Sequence, residues 1–522
     1  MENLEELRGS VESITFRNEE NSFTVLELSS GEALVTVKGV LPQISPGEEL
    51  RLLGRTEHNP TWGRQFAAQF CERRLPGTQG ELLKYLSSGV IKGVGPAMAR
   101  RIVEALGDDA FSALENNPAK LAEIKGISPK KAEEICEGFK KQFSLRQVMI
   151  ALERLGMTTA ECLRVHKAFG TRAPELIKKN PYVLCEAELG IRFERADHIA
   201  RAMPEPPDAA FRTQAGVLHV LRRASYDGHS CYPEEQTIAP CVRLLQCGDG
   251  QVREAIQILL EQRRLLRHHF PEGAFLFLPY LFNAEQGIAQ KMEFLLRYPP
   301  AATKLSGDLS EVITRMEDKH AIHYAPEQRE AMRIALERGL LILTGGPGTG
   351  KTTTLRGILE LLRRGGLKVS LAAPTGRAAK RMQDLTDENA KTIHRLLEVE
   401  WTPDDRQTFA RNRRNPLDTH AVIIDEISMV DVPLFSALLD ALPLGCRLVL
   451  VGDADQLPPV GAGSVLQDLL RARQLPVVRL ETIFRQAMES LIVTNSHRIV
   501  RGEMPELGCK DRDFFFLERG SV

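Results

Sequence analysis

The 522-residue sequence has almost no net charge, with 68 Lys and Arg set against 69 Asp and Glu. No whole-molecule field therefore draws the chain to a polyanion or an acidic membrane, and any such ligand has to be held by local clusters. Cysteine shows no organised pattern. Nine residues, an odd number, are scattered from Cys71 to Cys509 with none at C-x-x-C spacing. That argues against a zinc site and, in a chain this long, against a disulfide framework. Long apolar runs are lacking too, since none approaches the ~20 residues of a membrane-spanning helix. The opening Met1-Glu2-Asn3-Leu4-Glu5-Glu6 is acidic where a secretory signal would be basic and then apolar. These absences predict a cytoplasmic protein with reduced thiols and no membrane partner. Apolar residues at 43% and charged residues at 26% are ordinary for a globular chain, so disorder is excluded as the dominant state. At roughly 100–200 residues per domain, the length calls for several domains.

Residues 1–75 read as short β-strands. Val11–Phe16, Phe23–Leu28, Ala33–Val40 and Glu49–Leu53 cluster β-formers between Ser-Gly, Pro-Gly and Asn-rich breaks. A small OB-like barrel is expected, either binding nucleic acid or serving as a plain β-domain. Residues 76–205 turn helical, and one unit recurs. Ile91-Lys92-Gly93-Val94-Gly95-Pro96 and Ile124-Lys125-Gly126-Ile127-Ser128-Pro129 each open a helix, with looser echoes at Leu155-Gly156 and Leu189-Gly190. This is the pattern of a helix-hairpin-helix, in which Gly93, Gly95 and Gly126 allow the tight turn and free helix-start amides meet a DNA phosphate. A purely structural helical array is the alternative. Residues 206–290 hold helix, helix, a basic helix end and two short strands, an order that suggests a winged-helix-like module for DNA contact or for packing.

The chemistry begins at Leu340. A buried-type strand runs into Gly345-Gly346-Pro347-Gly348-Thr349-Gly350-Lys351-Thr352 and then a helix from Thr353. This satisfies G-x-x-x-x-G-K-[ST] in the strand–loop–helix context the motif needs. Glycines let backbone N–H groups wrap phosphates, the helix dipole adds field, Lys351 serves the β- and γ-phosphates, and Thr352 offers a hydroxyl to Mg²⁺. A second apolar strand, Ala421-Val422-Ile423-Ile424, ends in Asp425-Glu426. Asp425 is placed to hold Mg²⁺ and Glu426 to deprotonate the attacking water. Alternating strands and helices of this kind predict an α/β P-loop domain with a parallel sheet over 300–522.

Five further stretches carry a resemblance. Ala373-Pro374-Thr375-Gly376-Arg377-Ala378-Ala379 resembles helicase motif Ia, Asp425-Glu426-Ile427-Ser428-Met429 motif II, Gly452-Asp453-Ala454-Asp455-Gln456-Leu457-Pro458 motif III, and Ile483-Phe484-Arg485-Gln486 motif IV. Tyr324-Ala325-Pro326-Glu327-Gln328 resembles the adenine-reading Q motif. Together they are similar to superfamily 1 DNA helicases, and most of all to the stand-alone RecD-like type, over about 320–518. They speak against an unrelated P-loop ATPase or small-molecule kinase. The resemblance implies a RecA-like motor domain that binds ATP through Gln328 and Gly346, Pro347, Gly348, Thr349, Gly350, Lys351, Thr352 and Thr353. It further implies Thr352 and Asp425 as Mg²⁺ ligands, and Glu426, Lys351, Gln456 and Arg485 as catalytic. Pro374, Thr375, Gly376, Arg377 and His394 would lie along single-stranded DNA.

A polar, basic insert at about 396–417, with Trp401, Arg411, Arg413 and Arg414, corresponds to a pin that splits the duplex or is an ordinary surface loop. By family, the activity implied is 5′ to 3′ translocation on single-stranded DNA and unwinding of 5′-tailed duplexes. Family members continue into a second RecA-like domain, and the resemblance places its start near Val522. The alternative is therefore an ATP-responsive single-stranded DNA-binding module that does not unwind.

Overall fold

The computed structural model describes residues 5–18, 23–31, 33–41, 44–59, 63–74, 79–88, 91, 93–186, 189–206, 208–305, 307–401, 407–484, 489–508 and 513–517. They form two compact units, Met1–Arg212 and Thr213–Val522.

The first unit opens with five strands, β1 (Glu5–Arg17), β2 (Phe23–Ser30), β3 (Ala33–Val40), β4 (Glu49–Asn59) and β5 (Gly63–Arg74). They close a barrel in the order β1-β2-β3-β5-β4, with the parallel β3–β5 contact completing the ring. Side chains alternate in and out along each strand, so Leu26, Leu28, Val37, Leu50 and Leu52 fill the interior. The OB-like expectation holds and β3 has the expected bounds, but β1, β2 and β4 are longer than the apolar runs suggested, and β5 was not foreseen. The outer half of β4 and much of β5 are polar, and a ladder from Glu49–Arg74 to Asn59–Gly63 supports them instead. Gly54 stands at a register shift in β4, where a Cβ would meet the Ala67 carbonyl oxygen at 2.1 Å.

Helices follow from Gln79 to Ala202. Leu86, Ile91, Ile102, Leu121, Ile135 and Phe139 form their first core. The helix opened by Pro129 runs without a break to Arg154, well past the Phe139 at which its apolar pattern fades.

The second unit begins in the helix Ala209–Tyr226 and continues through helices Glu234–Leu245 and Asp249–Glu261. Three short strands, β6 (Tyr232–Pro233), β7 (Leu266–Phe270) and β8 (Gly273–Phe277), pair in the order β6-β8-β7. The sequence signalled only the last two. The helix Pro279–Arg297 then packs on Val432–Asp440, joining Ile288, Met292 and Phe435 in one core.

The chemistry-bearing sheet has six strands in the order β11-β10-β14-β15-β9-β16. These are β9 (Leu340–Gly345), β10 (Val369–Ala373), β11 (Ala390–Thr392), β14 (Ala421–Ile424), β15 (Arg447–Gly452) and β16 (Val477–Leu480). Every pairing in it is parallel. β14 and β15 are buried along their whole length, as a sheet covered by helices on both faces requires. The P-loop and motifs Ia, II, III and IV follow the C-terminal ends of β9, β10, β14, β15 and β16, where open α/β sheets bind ligands, while the Q motif opens the helix Pro326–Glu337 ahead of β9. A separate hairpin, β12 (Val399–Trp401) with β13 (Gln407–Phe409), stands in the insert.

Among the described residues, none of the eight cysteines is in a disulfide. No helix among them is long and apolar enough to cross a membrane.

Candidate nucleotide site

The loop after β9 is shaped by two left-handed glycines, Gly348 at φ +76° and Gly350 at +84°. Gly350 caps the helix Lys351–Arg364, whose first-turn amides therefore face the loop. The hydroxyl of Thr349, 3% exposed, donates to the Gly346 carbonyl at 2.8 Å and braces the loop from within. Lys351 folds over its own loop. Its ammonium donates to the carbonyls of Gly345 and Gly346 and lies 3.6 Å from Asp453, a carboxylate only 2% exposed. The cation thus occupies a nest of acceptors that anionic oxygens can replace.

β14 carries Asp425 and Glu426 to the same place. Glu426 holds a left-handed backbone, φ +55°, unusual for a residue with a side chain. Its N–H donates to Asp425 Oδ1 at 3.0 Å, which fixes the two carboxyls in relation to each other. Burial pushes the Asp425 carboxyl above the usual carboxylate range, while the Glu426 amide, Arg381 and Lys351 pull it back. Burial and then the neighbouring Asp425 raise Glu426 in the same way, opposed by Lys351 and Arg381. A group so raised is nearer to the pKa a general base needs.

One cavity of about 850 Å³ joins these parts. The predicted Gln328, the loop from Gly346 to Thr353, Asp425, Glu426 and Gln456 all line it. Gln328 is 1% exposed, and its amide already works inside the protein. Oε1 accepts from the Ala325 N–H at 2.9 Å, and Nε2 donates to the Gly350 carbonyl at 3.3 Å. A primary amide keeps one further donor and one further lone pair. Arg485 lies outside the described residues.

Sequence reasoning passed over six residues of this wall: Ile322, His323, Arg381, Asp453, Phe484 and Val493. Asp453 stood inside motif III and Phe484 inside motif IV, so their motifs were a signal. Arg381 lies one turn beyond Arg377 on the helix Gly376–Thr386, and that spacing was its only signal. The oxygen donors of Thr352 and Asp425 suit a hard cation that keeps most of its ligands as water and phosphate. Among the described residues, no group of three or more His, Cys, Asp or Glu side chains could hold a metal ion without such help.

The other predicted residues stand apart from the cavity. Pro374 and Thr375 follow β10. Thr375 caps the next helix by accepting from the Ala378 N–H at 3.2 Å, leaving Gly376 and Arg377 exposed at its start. His394 sits on the short helix Ile393–Leu396, its ring 5.9 Å from Phe409 of the hairpin. Trp401 at the hairpin end is 67% exposed, and residues 402–406 between the strands lie outside the described residues.

In the first unit, Gly93 and Gly126 take the left-handed turns, φ +87° and +92°. Gly95 does not. It is extended at φ −96° and caps the helix Pro96–Leu106. Lys131 reaches over Gly93, and Arg101 reaches over Gly126 while donating to the Lys125 carbonyl at 2.9 Å. Lys92 lies outside the described residues.

Four family models match the chain. They are the ATP-dependent DNA helicase YrrC, OB-fold domain over 4–76, the SAM-like helix-hairpin-helix tandem over 83–141, the ATP-dependent RecD2 DNA helicase HHH domain over 141–231, and an AAA domain over 328–462. The ATP-dependent RecD2 DNA helicase of Deinococcus radiodurans is 32% identical over 521 residues, covering 96% of this chain and 71% of that protein. The RecBCD enzyme subunit RecD of Mycolicibacterium smegmatis is 43% identical over 167 residues, 28% of this chain and 30% of that subunit. Among solved structures, the Pif1 helicase of Candida albicans is 25% identical over 36% of this chain and 50% of that one, with a TM-score of 0.27. With an OB barrel, a helix-hairpin-helix region and a P-loop AAA domain in one chain, this protein belongs to the RecD2 family of ATP-dependent DNA helicases.

Proposed function

We propose that the second unit binds Mg·ATP in the 850 Å³ cavity and hydrolyses it, and that the chain uses this cycle to move 5′ to 3′ along single-stranded DNA and open 5′-tailed duplexes. The observation that carries the reading is the meeting, in that one cavity, of the P-loop, Asp425 and Glu426, and Gln456, which come from separate strand ends. Lys351 exchanges the carbonyls of Gly345 and Gly346 for β- and γ-phosphate oxygens, and the loop amides hold the same oxygens. Thr352 and Asp425 hold Mg²⁺, which supplies neutralising charge on the phosphates. Glu426, raised by burial, takes the proton of the attacking water. Gln456, exposed in the loop after β15, senses the γ-phosphate. Arg485 meets the same group, and the free donor and lone pair of Gln328 read the adenine edge.

The exposed start of the helix at Gly376, with Arg377, and the half-buried His394 take the strand's phosphates. Such contacts hold any sequence alike. The β12–β13 hairpin with Trp401 serves as the pin at the duplex fork. In the first unit, the Gly93 and Gly126 turns add sequence-independent backbone contacts beside Lys125, Lys130 and Lys131.

The test pairs an ATPase assay, with and without single strands, with strand separation on 5′-tailed and 3′-tailed duplexes. Stimulated hydrolysis with 5′-tailed unwinding supports the whole reading. Stimulated hydrolysis without unwinding leaves an ATP-responsive single-strand binder. ATPase that ignores DNA would refute the proposal.

A further inference from the structure

The helix Leu491–Val500 follows motif IV, and it is held at its start and at its middle. Asp513 accepts from the Leu491 N–H at 2.8 Å near its start. Asn495, 2% exposed, exchanges two hydrogen bonds with the backbone of Glu506, at 3.0 and 2.7 Å. From this held helix His497 reaches the crown of the P-loop, 150 residues earlier in the chain, with Nε2 3.0 Å from the Pro347 carbonyl oxygen. A carbonyl only accepts, so the ring nitrogen is the donor. The imidazole also fills the space above Gly346, where any Cβ would come within 2.6 Å of its Cε1. A side chain at 346 would therefore displace the imidazole.

The Pro347 carbonyl and the Gly348 N–H belong to one planar trans peptide and point in opposite directions. His497 is not in the cavity wall, whereas Gly348 is. Holding the carbonyl toward His497 therefore fixes the Gly348 amide on the opposite side of the peptide, away from the imidazole. The next peptide is held in the same manner, since the Gly348 carbonyl accepts from the Phe484 N–H at 3.4 Å. Two successive crown peptides are thus held by Phe484 and His497.

We infer that His497 is a positioning residue for the nucleotide phosphates, one that touches no nucleotide but sets the direction of the Gly348 amide. The inference rests on the reading of this loop as the ATP cradle. An amide aimed in advance at a phosphate keeps the full value of a charge-assisted bond, and one left to swing loses part of it to ordering. Replacing His497 by alanine should weaken Mg·ATP binding roughly tenfold. His497→Gln, whose amide N–H can reach the same carbonyl, should restore most of the affinity.

The experiment titrates the full chain and both variants with Mg²⁺ and a non-hydrolysable ATP analogue by calorimetry, then measures steady-state ATPase. Because the amide holds phosphate in ground and transition states alike, KM should rise in His497→Ala while kcat stays about the same. A general loosening of the helix would lower kcat as well. His497→Ala binding as tightly as wild type, or His497→Gln folded yet as weak as His497→Ala, overturns the inference. Failure of the wild-type chain to bind the analogue overturns the cradle reading itself, so the two failures are distinguishable.

Discussion

Lys351→Ala offers the sharpest test of the nucleotide site. The structure shows what the side chain does without a ligand: two carbonyl contacts, to Gly345 and Gly346, and an approach of 3.6 Å to the buried Asp453. Binding Mg·ATP trades those neutral acceptors for phosphate oxygens. A charge-assisted hydrogen bond is worth about 1.5–3 kcal/mol, and part of the gain is offset by the contacts given up. Affinity should therefore fall by about 10- to 100-fold, at 1.4 kcal/mol per factor of ten. Stability should change less. Asp453 keeps the hydrogen bond from the Asp455 N–H at 3.1 Å, and the cavity admits water to its freed carboxylate oxygen. Calorimetry with a non-hydrolysable analogue in Mg²⁺ gives the affinity, and a melting curve without nucleotide gives the fold. Equal affinity in wild type and a folded Lys351→Ala would refute the assignment of this loop to phosphate.

Glu426→Gln should retain nucleotide affinity and lose hydrolysis by about 10²–10⁴-fold, read in a single-turnover assay. Hydrolysis at the wild-type rate would move the general base elsewhere. Replacing Lys125, Lys130 and Lys131 together by alanine should weaken single-stranded DNA binding and flatten the slope of log K against log salt by up to about 2, if each meets a phosphate. An unchanged slope would favour a purely structural hairpin array. At Glu360, burial raises the carboxyl, but hydrogen bonds from Arg364, His320 and Lys319 outweigh it and hold it at about 2, below its ordinary 4.5. A folded-state pKa lowered in this way adds stability that is present above the ordinary value and is lost as pH falls from 4.5 toward about 2. Glu360→Gln should therefore melt below wild type at pH 6, and the gap should close on acidification to pH ~3. A gap that widens would reverse the sign.

What the sequence determined alone was whatever is contiguous. The Gly-rich loop between a strand and a helix, the apolar strand ending in Asp425-Glu426, and the Gly93 and Gly126 turns are local arrangements that only particular residue types permit. Their identity and backbone form were legible without any partner. The barrel was legible in kind, but not in extent, because the outer half of β4 and the polar ends of β5 are held by ladder hydrogen bonds that leave no apolar signature. Only the tertiary structure decided the rest. Sheet order puts β9 between β15 and β16, and so brings residues from Gln328 to Phe484 to one cavity. No periodicity encodes that order. Arg381 entered the wall by its position on a helix whose facing depends on β10, and His497 reached Pro347 across 150 residues. The physical reason is common to both. Local propensity acts through neighbours in the chain, while an approach between distant segments exists only once two packed cores have fixed where each strand end lies.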